Sequence, residues 1–309
     1  MSIDADSTVA VGPVSGRRRA VRLVSPRLLP YLLIAPAVIY LLGITLYPFI
    51  YAVRTSLYDV SAGMEFWVGW GNYARLLTDQ TFWQSLLNTV LIAGVSLAVE
   101  TTLAMGVALL VYNDRWVRGW RMLYLAPMLF MPSAVAFMWK LMFFPGTSII
   151  NDLLIHAGLV SDQLNWFGNT VLARGTMVVA DVWEWTPFLF VIFLAGLQGM
   201  DEEIEEAAKL DGARWYHTFW LITLPMMRPV LAIALTLRGI DLVTMFTKVS
   251  IMTNGGPAGY TETVSYFIYR NGFKQFDQGY AAAASVIVLI FTVIAAMTII
   301  KRFFRTATL

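Results

Sequence analysis

The chain has 309 residues, of which 58% are hydrophobic, 14% aromatic and only 14% charged. A soluble domain of this length carries about 25% charged residues, so the composition is that of a membrane protein. The absence of cysteine excludes disulfides and thiolate metal sites. Two widely separated histidines, His156 and His217, argue against a histidine metal centre, and a net charge of +2 is too small to point to nucleic acid.

Residues 1–27 form a polar, then basic, N-terminal tail. The apolar run that follows, to about residue 53, exceeds the roughly 7–15-residue core of a signal peptide. It reads as an uncleaved first span rather than as a secretory or twin-arginine signal. A span needs about 20 mostly apolar residues. Six runs qualify: 29–53, 84–111, 119–143, 175–199, 226–250 and 279–300. The third contains Pro127 and Pro132 and the fourth Pro187. Such prolines are tolerated where neighbouring helices re-satisfy the freed backbone groups. The loops 56–83 and 144–174 are rich in Gly, Asn, Asp and Trp, and TNGGP at 253–257 is a turn signal. The expected architecture is an all-α membrane protein: a tail at 1–27, a six-span domain over 28–305 and a short tail at 306–309.

Orientation follows from Lys and Arg in the flanks. With the N-terminus in the cytoplasm, the inner segments hold fourteen of the 22 basic residues. These are Arg17, Arg18, Arg19, Arg22 and Arg27; Arg115, Arg118 and Arg121; Lys209, Arg214 and Arg228; and Lys301, Arg302 and Arg305. The outer segments hold five: Arg54, Arg75, Arg174, Arg270 and Lys274. This asymmetry predicts both termini inside, and puts residues 200–225 in the cytoplasm between spans four and five.

That segment is unusually polar for its surroundings. Asp201 can N-cap a helix whose early Glu202, Glu203, Glu205 and Glu206 favour the positive end of the dipole. Glu205 and Lys209 form an i,i+4 pair in the favourable order. Ile204, Ala207, Ala208 and Asp211 share one face, and the small alanines there permit close approach. Gly212 ends this helix in the usual role of a glycine just past the C-cap. A second short helix, 214–224, is expected to align Trp215, Phe219 and Ile222 on one face, with Pro225 opening span five. On physical grounds alone, the pair is either an amphipathic element resting on the membrane surface or a docking element for a cytoplasmic partner.

Ionisable residues within spans are functional candidates by default. Asp181 and Glu184 lie i,i+3 on span four beside Trp185, and Arg238 and Asp241 lie i,i+3 on span five. Carboxylates and a guanidinium beside an aromatic face suit recognition of a polar solute. The plainer alternative is that these charges pair with each other and fix helix packing, which is also the reading for Glu100 on span two. Lys140 lies on span three. Depth arguments allow Glu184 and Arg238 to meet.

The segment Glu206-Ala207-Ala208, three residues, Gly212, nine residues, then Ile222-x-Leu224-Pro225 resembles the EAA signature of ABC-importer permease subunits at every named position. VGWGNYARLL at 68–77, FWQSLLNT at 82–89, DVWEWTPF at 181–188 and RGIDLVTMF followed by TNGGP resemble the maltose-type carbohydrate importers, so the likeness covers most of the chain. One departure stands at Phe246-Thr247-Lys248, where that family commonly has Phe-Asp. The resemblance implies a type I importer permease fold without catalysis of its own and with no bound cofactor. It implies a homologous second permease, a pair of ATPase subunits carrying ATP and Mg, an extracytoplasmic solute-binding protein, and a sugar or sugar derivative as solute. It makes 201–225 the coupling segment, with Glu206, Ala207, Ala208, Gly212, Trp215, Phe219, Ile222, Leu224 and Pro225 at the ATPase. The pathway candidates are Asp181, Glu184, Trp185, Arg238 and Asp241. The competing reading is a stand-alone secondary transporter or membrane-embedded enzyme using Asp181, Glu184 and Arg238 as a proton relay or acid–base set.

The orientation is testable because the chain has no cysteine of its own. A cysteine introduced at Ala207 should be protected from a membrane-impermeant thiol reagent added outside intact cells, and labelled once the membrane is opened. Labelling from outside would invert the topology.

Overall fold

In the computed structural model, residues 29–61, 64–112, 117–146 and 148–304 are described. Residues 1–27, 306–309 and 113–116 lie outside them, as do the side chains of Arg118, Arg121, Glu202 and Glu205. The chain divides into two units, one ending at Ile50 and one starting at Tyr51. The first contains most of α1 (Leu29–Ser56), a 28-residue apolar helix that carries Pro36 and Pro48 internally.

The second unit begins with an antiparallel hairpin, β1 (Tyr58–Ser61) and β2 (Met64–Trp67), in which Tyr58 faces Trp67 and Asp59 faces Phe66. Then come α2 (Gly71–Thr78) and the 32-residue α3 (Gln80–Val111). Asp79 caps α3 by accepting from the Thr81 N–H at 2.8 Å, and also accepts from the Tyr280 hydroxyl at 2.6 Å. Burial opposes its charge, but these donors outweigh it and hold the Asp79 carboxyl below its usual range. The chain continues through α4 (Val117–Leu125), a 3₁₀ turn over Ala126–Leu129, α5 (Pro132–Met142) and the short α6 (Ile149–His156). Next is α7 (Thr170–Gln198), capped by the Asn169 side chain. After α7 come α8 (Glu202–Leu210), α9 (Trp215–Thr218), a π-helical turn over Phe219–Thr223 and α10 (Leu224–Met226). The last helices are α11 (Arg228–Val243), α12 (Val264–Tyr269) and α13 (Gln278–Phe304).

Among the described residues, four helices are long and apolar enough to cross a membrane, and six spans result when two bent pairs each count as one. Helix α3 packs along α7, with Ala104, Met105 and Ala108 against Leu189, Phe190, Phe193 and Leu197; Met227, Leu231 and Ala234 complete this cluster from span five. The alanines let the helix axes approach, as small residues do at helix contacts within a membrane. A second cluster joins Ile92, Met177, Leu242, Val249 and Tyr266, and a third joins α5 to α7 through Val135, Ala136, Trp139 and Ala180.

Two expected spans are not continuous. Span three is split into legs 95° apart, because Pro127 tightens the chain into a 3₁₀ turn and Pro132 starts a new helix after the extended Phe130 and Met131. Span five, expected over 226–250, bends by 67° at Met227 and breaks again after Val243. The carbonyls freed at the second break find side-chain donors: Ser265 donates to Val243 at 3.0 Å and Thr263 to Met245 at 2.9 Å. Lys140 likewise donates to the Ile251 carbonyl, in a π-helical turn over Val249–Thr253, at 2.8 Å. Polar side chains thus replace the ladder where the helix stops. The hairpin is a further departure from the all-helical expectation: β-branched and aromatic residues flank a two-residue connection.

The loop between span five and α12 is stitched to the N-terminal ends of α3 and α7. Asn88 donates to the Gly259 and Glu262 carbonyls, while Arg174 donates to Asn88 and to the Tyr260 carbonyl. Burial pushes the Glu262 carboxyl up, against the opposing pull of Arg270 at 2.8 Å.

The start of α13 abuts the hairpin so closely that a Cβ on Gly279 would lie 1.9 Å from the Tyr58 carbonyl oxygen. The obstacle is backbone and cannot rotate away. Gly279→Ala should therefore lower stability by about 1–3 kcal/mol or more, read as thermal unfolding of the detergent-solubilised protein. Gly94→Ala on α3, where an added Cβ meets nothing within 4 Å, serves as the unaffected control.

Candidate functional site

Three helices bring charge to one place. On α7, Asp181 and Glu184 lie one turn apart and Trp185 follows Asp181 at i+4, so all three share a face. Helix α3 brings Glu100, and α11 brings Arg238 and Asp241. Beyond the break after Val243, the chain returns with Lys248.

Arg238 is the centre of the group and is 1% exposed. Its Nε and Nη2 donate to the two oxygens of Glu100 at 2.9 and 3.0 Å, a bidentate pair. Nη2 also donates to Asp181 and Nη1 to Asp241, while the guanidinium carbon sits 4.9 Å from the Trp185 ring centroid. Lys248 donates to the other oxygen of Asp181 at 2.8 Å, and its Nζ lies 2.5 Å from Glu184 Oε2 as an ion pair outside hydrogen-bond angles. Glu100, Asp181, Glu184 and Lys248 are all buried. Asp241 is different: its side chain is 49% exposed.

A cleft of about 120 Å³ opens beside this cluster, lined by Asp181, Trp185, Arg238, Asp241, Thr244 and Lys248 among others. Sequence reasoning named Asp181, Trp185, Arg238 and Asp241, and the fold brings these four together. Glu184 is joined to them through Lys248 rather than by meeting Arg238. Glu100, read as a structural charge that pairs within the bundle, does so by accepting from two of the Arg238 donors. Lys248 was noted only as a departure and not as a member of the cluster. Helical periodicity could not put it on the Arg238 face, because the break after Val243 resets the phase. The usable signal was the charge count: two acids on span four and one on span two are too many for Arg238 alone.

The polar segment between spans four and five forms a helix, a turn and a second helix. Asp201 accepts from the Glu203 N–H at 3.1 Å. Helix α8 ends with Ala213 N–H bonding the Ala208 carbonyl at 3.0 Å across Gly212, whose φ is +75°. The alanine pair is divided: Ala208 is buried, whereas Glu206 and Ala207 are exposed. The expected i,i+4 pair of Glu205 with Lys209 lies outside the described side chains.

The second helix departs from expectation in two ways. Trp215 is 80% exposed, while Phe219 and Leu224 pack against the α3–α7 cluster. Trp215 and Phe219 line one groove with Ala213 and Thr218, whereas Ile222 turns to a different cavity, because the π-helical turn over Phe219–Thr223 inserts an extra residue after Phe219. Pro225 does not open span five. It lies inside a helix that continues to Met226, and the bend falls at Met227. The wide turn, in which Leu224 N–H bonds Phe219 O, relieves the clash that a proline ring makes with a carbonyl four residues back. Ile222 lines a cavity of about 250 Å³ with Leu109, Tyr112, Leu197 and Ile204, between this segment and the ends of α3 and α7.

Residues 100–306 match the family described as binding-protein-dependent transport system inner membrane component. The chain is 36% identical over 273 residues to the trehalose/maltose transport system permease protein of Thermococcus litoralis, covering 86% of this chain and 92% of that one. It is 30% identical over 306 residues to the trehalose transport system permease protein of Mycobacterium tuberculosis, covering 98% and 95%. Among solved structures, a chain of a bacterial ABC transporter involved in import of the acidic polysaccharide alginate has the same fold. Its TM-score is 0.76 at 21% identity, covering 90% of this chain and 95% of that one.

Removing one member of a buried ion pair strands the other. Arg238→Met should cost about 3–5 kcal/mol by leaving Glu100 and Asp181 with less positive charge. Adding Glu100→Leu should recover a large part of that loss, since Lys248 still serves Asp181. Thermal unfolding of the single and double variants in detergent measures both. Equal losses in the two would mean that the pair does not act as a unit.

Proposed function

The chain belongs to the family of binding-protein-dependent transport inner membrane components, and from that membership we propose that it forms half of the translocation pathway of an importer for a sugar or sugar derivative. It is the permease subunit of an ABC importer. The carbohydrate class rests on the relatives named for trehalose and maltose. In this proposal the permease domain covers 28–305 between tails at 1–27 and 306–309. Both termini face the cytoplasm of a bacterial cell, and the chain sits in its inner membrane.

The partners proposed are a homologous second permease, a pair of ATPase subunits that bind ATP and Mg, and an extracytoplasmic solute-binding protein. The coupling segment is 201–225, and the observation that carries this is its geometry. The exposed Glu206 and Ala207 lie on one side of a left-handed Gly212, and the exposed Trp215 lies on the other. The segment therefore offers a charged and aromatic surface outside the bundle, while Ala208, Phe219 and Leu224 anchor it inward. Trp185, Arg238 and Asp241 belong to the pathway; Asp181, Glu184, Glu100 and Lys248 hold them in position. A stand-alone transporter or membrane-embedded enzyme is disfavoured because it has no use for such a segment.

Two variants test the coupling role. Valine at a φ of +75° is strained by on the order of 1–3 kcal/mol, so Gly212→Val should redirect α9 while the spans stay intact. Glu206→Lys reverses the charge at the docking surface. The expected outcomes are loss of co-purifying ATPase for Glu206→Lys, and retained ATPase with lost stimulation by binding protein and solute in proteoliposomes for Gly212→Val. Wild-type assembly together with full stimulation in both variants would falsify the coupling role.

A further inference from the structure

A lysine beside a solute cleft is, by residue type, a receptor for an anion, and Lys248 lines the cleft. Its surroundings point the other way. We infer that the cleft beside Arg238 passes an uncharged saccharide and disfavours sugar acids, sugar phosphates and sulfonated sugars. The inference rests on the carbohydrate-importer reading and narrows its solute class.

The argument begins with how the cations are used. Lys248 is 4% exposed and is held by Asp181 and Glu184. Arg238 is 1% exposed. Four of its donor contacts go to Glu100, Asp181 and Asp241, and Trp185 covers its face. Each cation has almost no solvent-facing surface to offer. An anion could reach one only by displacing a carboxylate, which would then be buried without its partner. The totals agree: four carboxylates, those of Glu100, Asp181, Glu184 and Asp241, face two cations. The one charged group in the cleft wall with substantial exposure is Asp241, at 49%, and it is negative.

Such a wall repels an anion and presents acceptors to hydroxyl groups. The exposed Thr244 and the partly exposed Thr247, both in the cleft wall, add neutral donors and acceptors. The ring of Trp185, also in that wall, offers an apolar face to the C–H side of a sugar. Lys248 thus neutralises the acids of span four instead of serving as an anion receptor.

The cysteine-free chain allows a test that does not depend on the selectivity of the binding protein. Thr244→Cys is introduced in a reconstituted complex whose other subunits are also cysteine-free. Its labelling rates with cationic and anionic methanethiosulfonate reagents are each normalised to reaction with a free thiol. The expected result is faster modification by the cationic reagent, on the order of tenfold, with the ratio falling when Asp241→Asn is added. Equal rates, or faster reaction of the anionic reagent, would overturn the inference. In a second arm, ATPase stimulation is measured with binding protein and a panel of maltose, trehalose, lactose, glucose 6-phosphate and glucuronate. Stimulation by a neutral member alone supports the inference, and stimulation by either anion overturns it. Stimulation by none of them, with cationic selectivity intact at Thr244→Cys, overturns the carbohydrate reading and leaves the charge selectivity standing.

Discussion

The buried guanidinium of Arg238 is the interaction on which the membrane part of this chain depends. Desolvating an ion costs several kcal/mol, and only close, geometrically matched partners repay it. Arg238 obtains them from three directions: Glu100 on α3, Asp181 on α7, and Asp241 on its own helix. Apolar packing alone lets helices in a bilayer slide and rotate, since lipid is as apolar as leucine. A bidentate Arg–carboxylate pair does not. It sets the rotation of α11 and its depth relative to α3. Asp181 then passes the constraint on, because its second oxygen accepts from Lys248, which in turn neutralises Glu184.

Span five shows why such a fixed point is needed. It is assembled from pieces: α9 with its π-helical turn, a 67° bend at Met227, the 16-residue α11, a break, and a π-helical turn over Val249–Thr253. Each interruption frees backbone groups that hydrocarbon cannot satisfy. Thr263, Ser265 and Lys140 satisfy three of the freed carbonyls. The piece between the interruptions, α11, is a helix about 24 Å long. It starts next to the segment proposed for coupling and carries Arg238 about two-thirds of the way along. A displacement at Met227 therefore reaches the charge cluster through one helix, without a chain of intermediate contacts.

Much of this architecture was legible in the sequence. Six apolar runs gave the spans, and the Gly212 turn and the Asp201 cap were readable from residue type, because caps and left-handed turns depend on local chemistry. Hydropathy averaged over a window does not register these interruptions. The 119–143 run is apolar across its bend, and in 226–250 the polar residues beside the bend and break, Arg228, Thr244, Thr247 and Lys248, are too few to divide the run. Pro127 and Pro132 marked the first bend, but the break after Val243 depends on Thr263 and Ser265, whose hydroxyls arrive from beyond the next loop. The cluster was half legible for the same reason. Spacings of three and four residues found Asp181 with Glu184 and Arg238 with Asp241. Glu100 lies 138 residues from Arg238, and no local pattern links them.

The Glu206-Ala207-Ala208 run answers to two surfaces at once. Ala208 is buried within the chain and must be small, whereas Ala207 and Glu206 are exposed. A larger residue at 208 would have to displace the neighbours that bury it. A larger residue at 207 would leave this chain unchanged and alter only what can approach it. The two alanines are therefore alike for different reasons, one imposed by packing within the chain and the other by whatever docks on it. Gly212 joins these constraints, since its left-handed backbone sets the angle between the inward-anchored α8 and the exposed Trp215. The motif is thus a statement about orientation: it holds a charged and aromatic surface at a fixed angle to α11, the helix that carries Arg238.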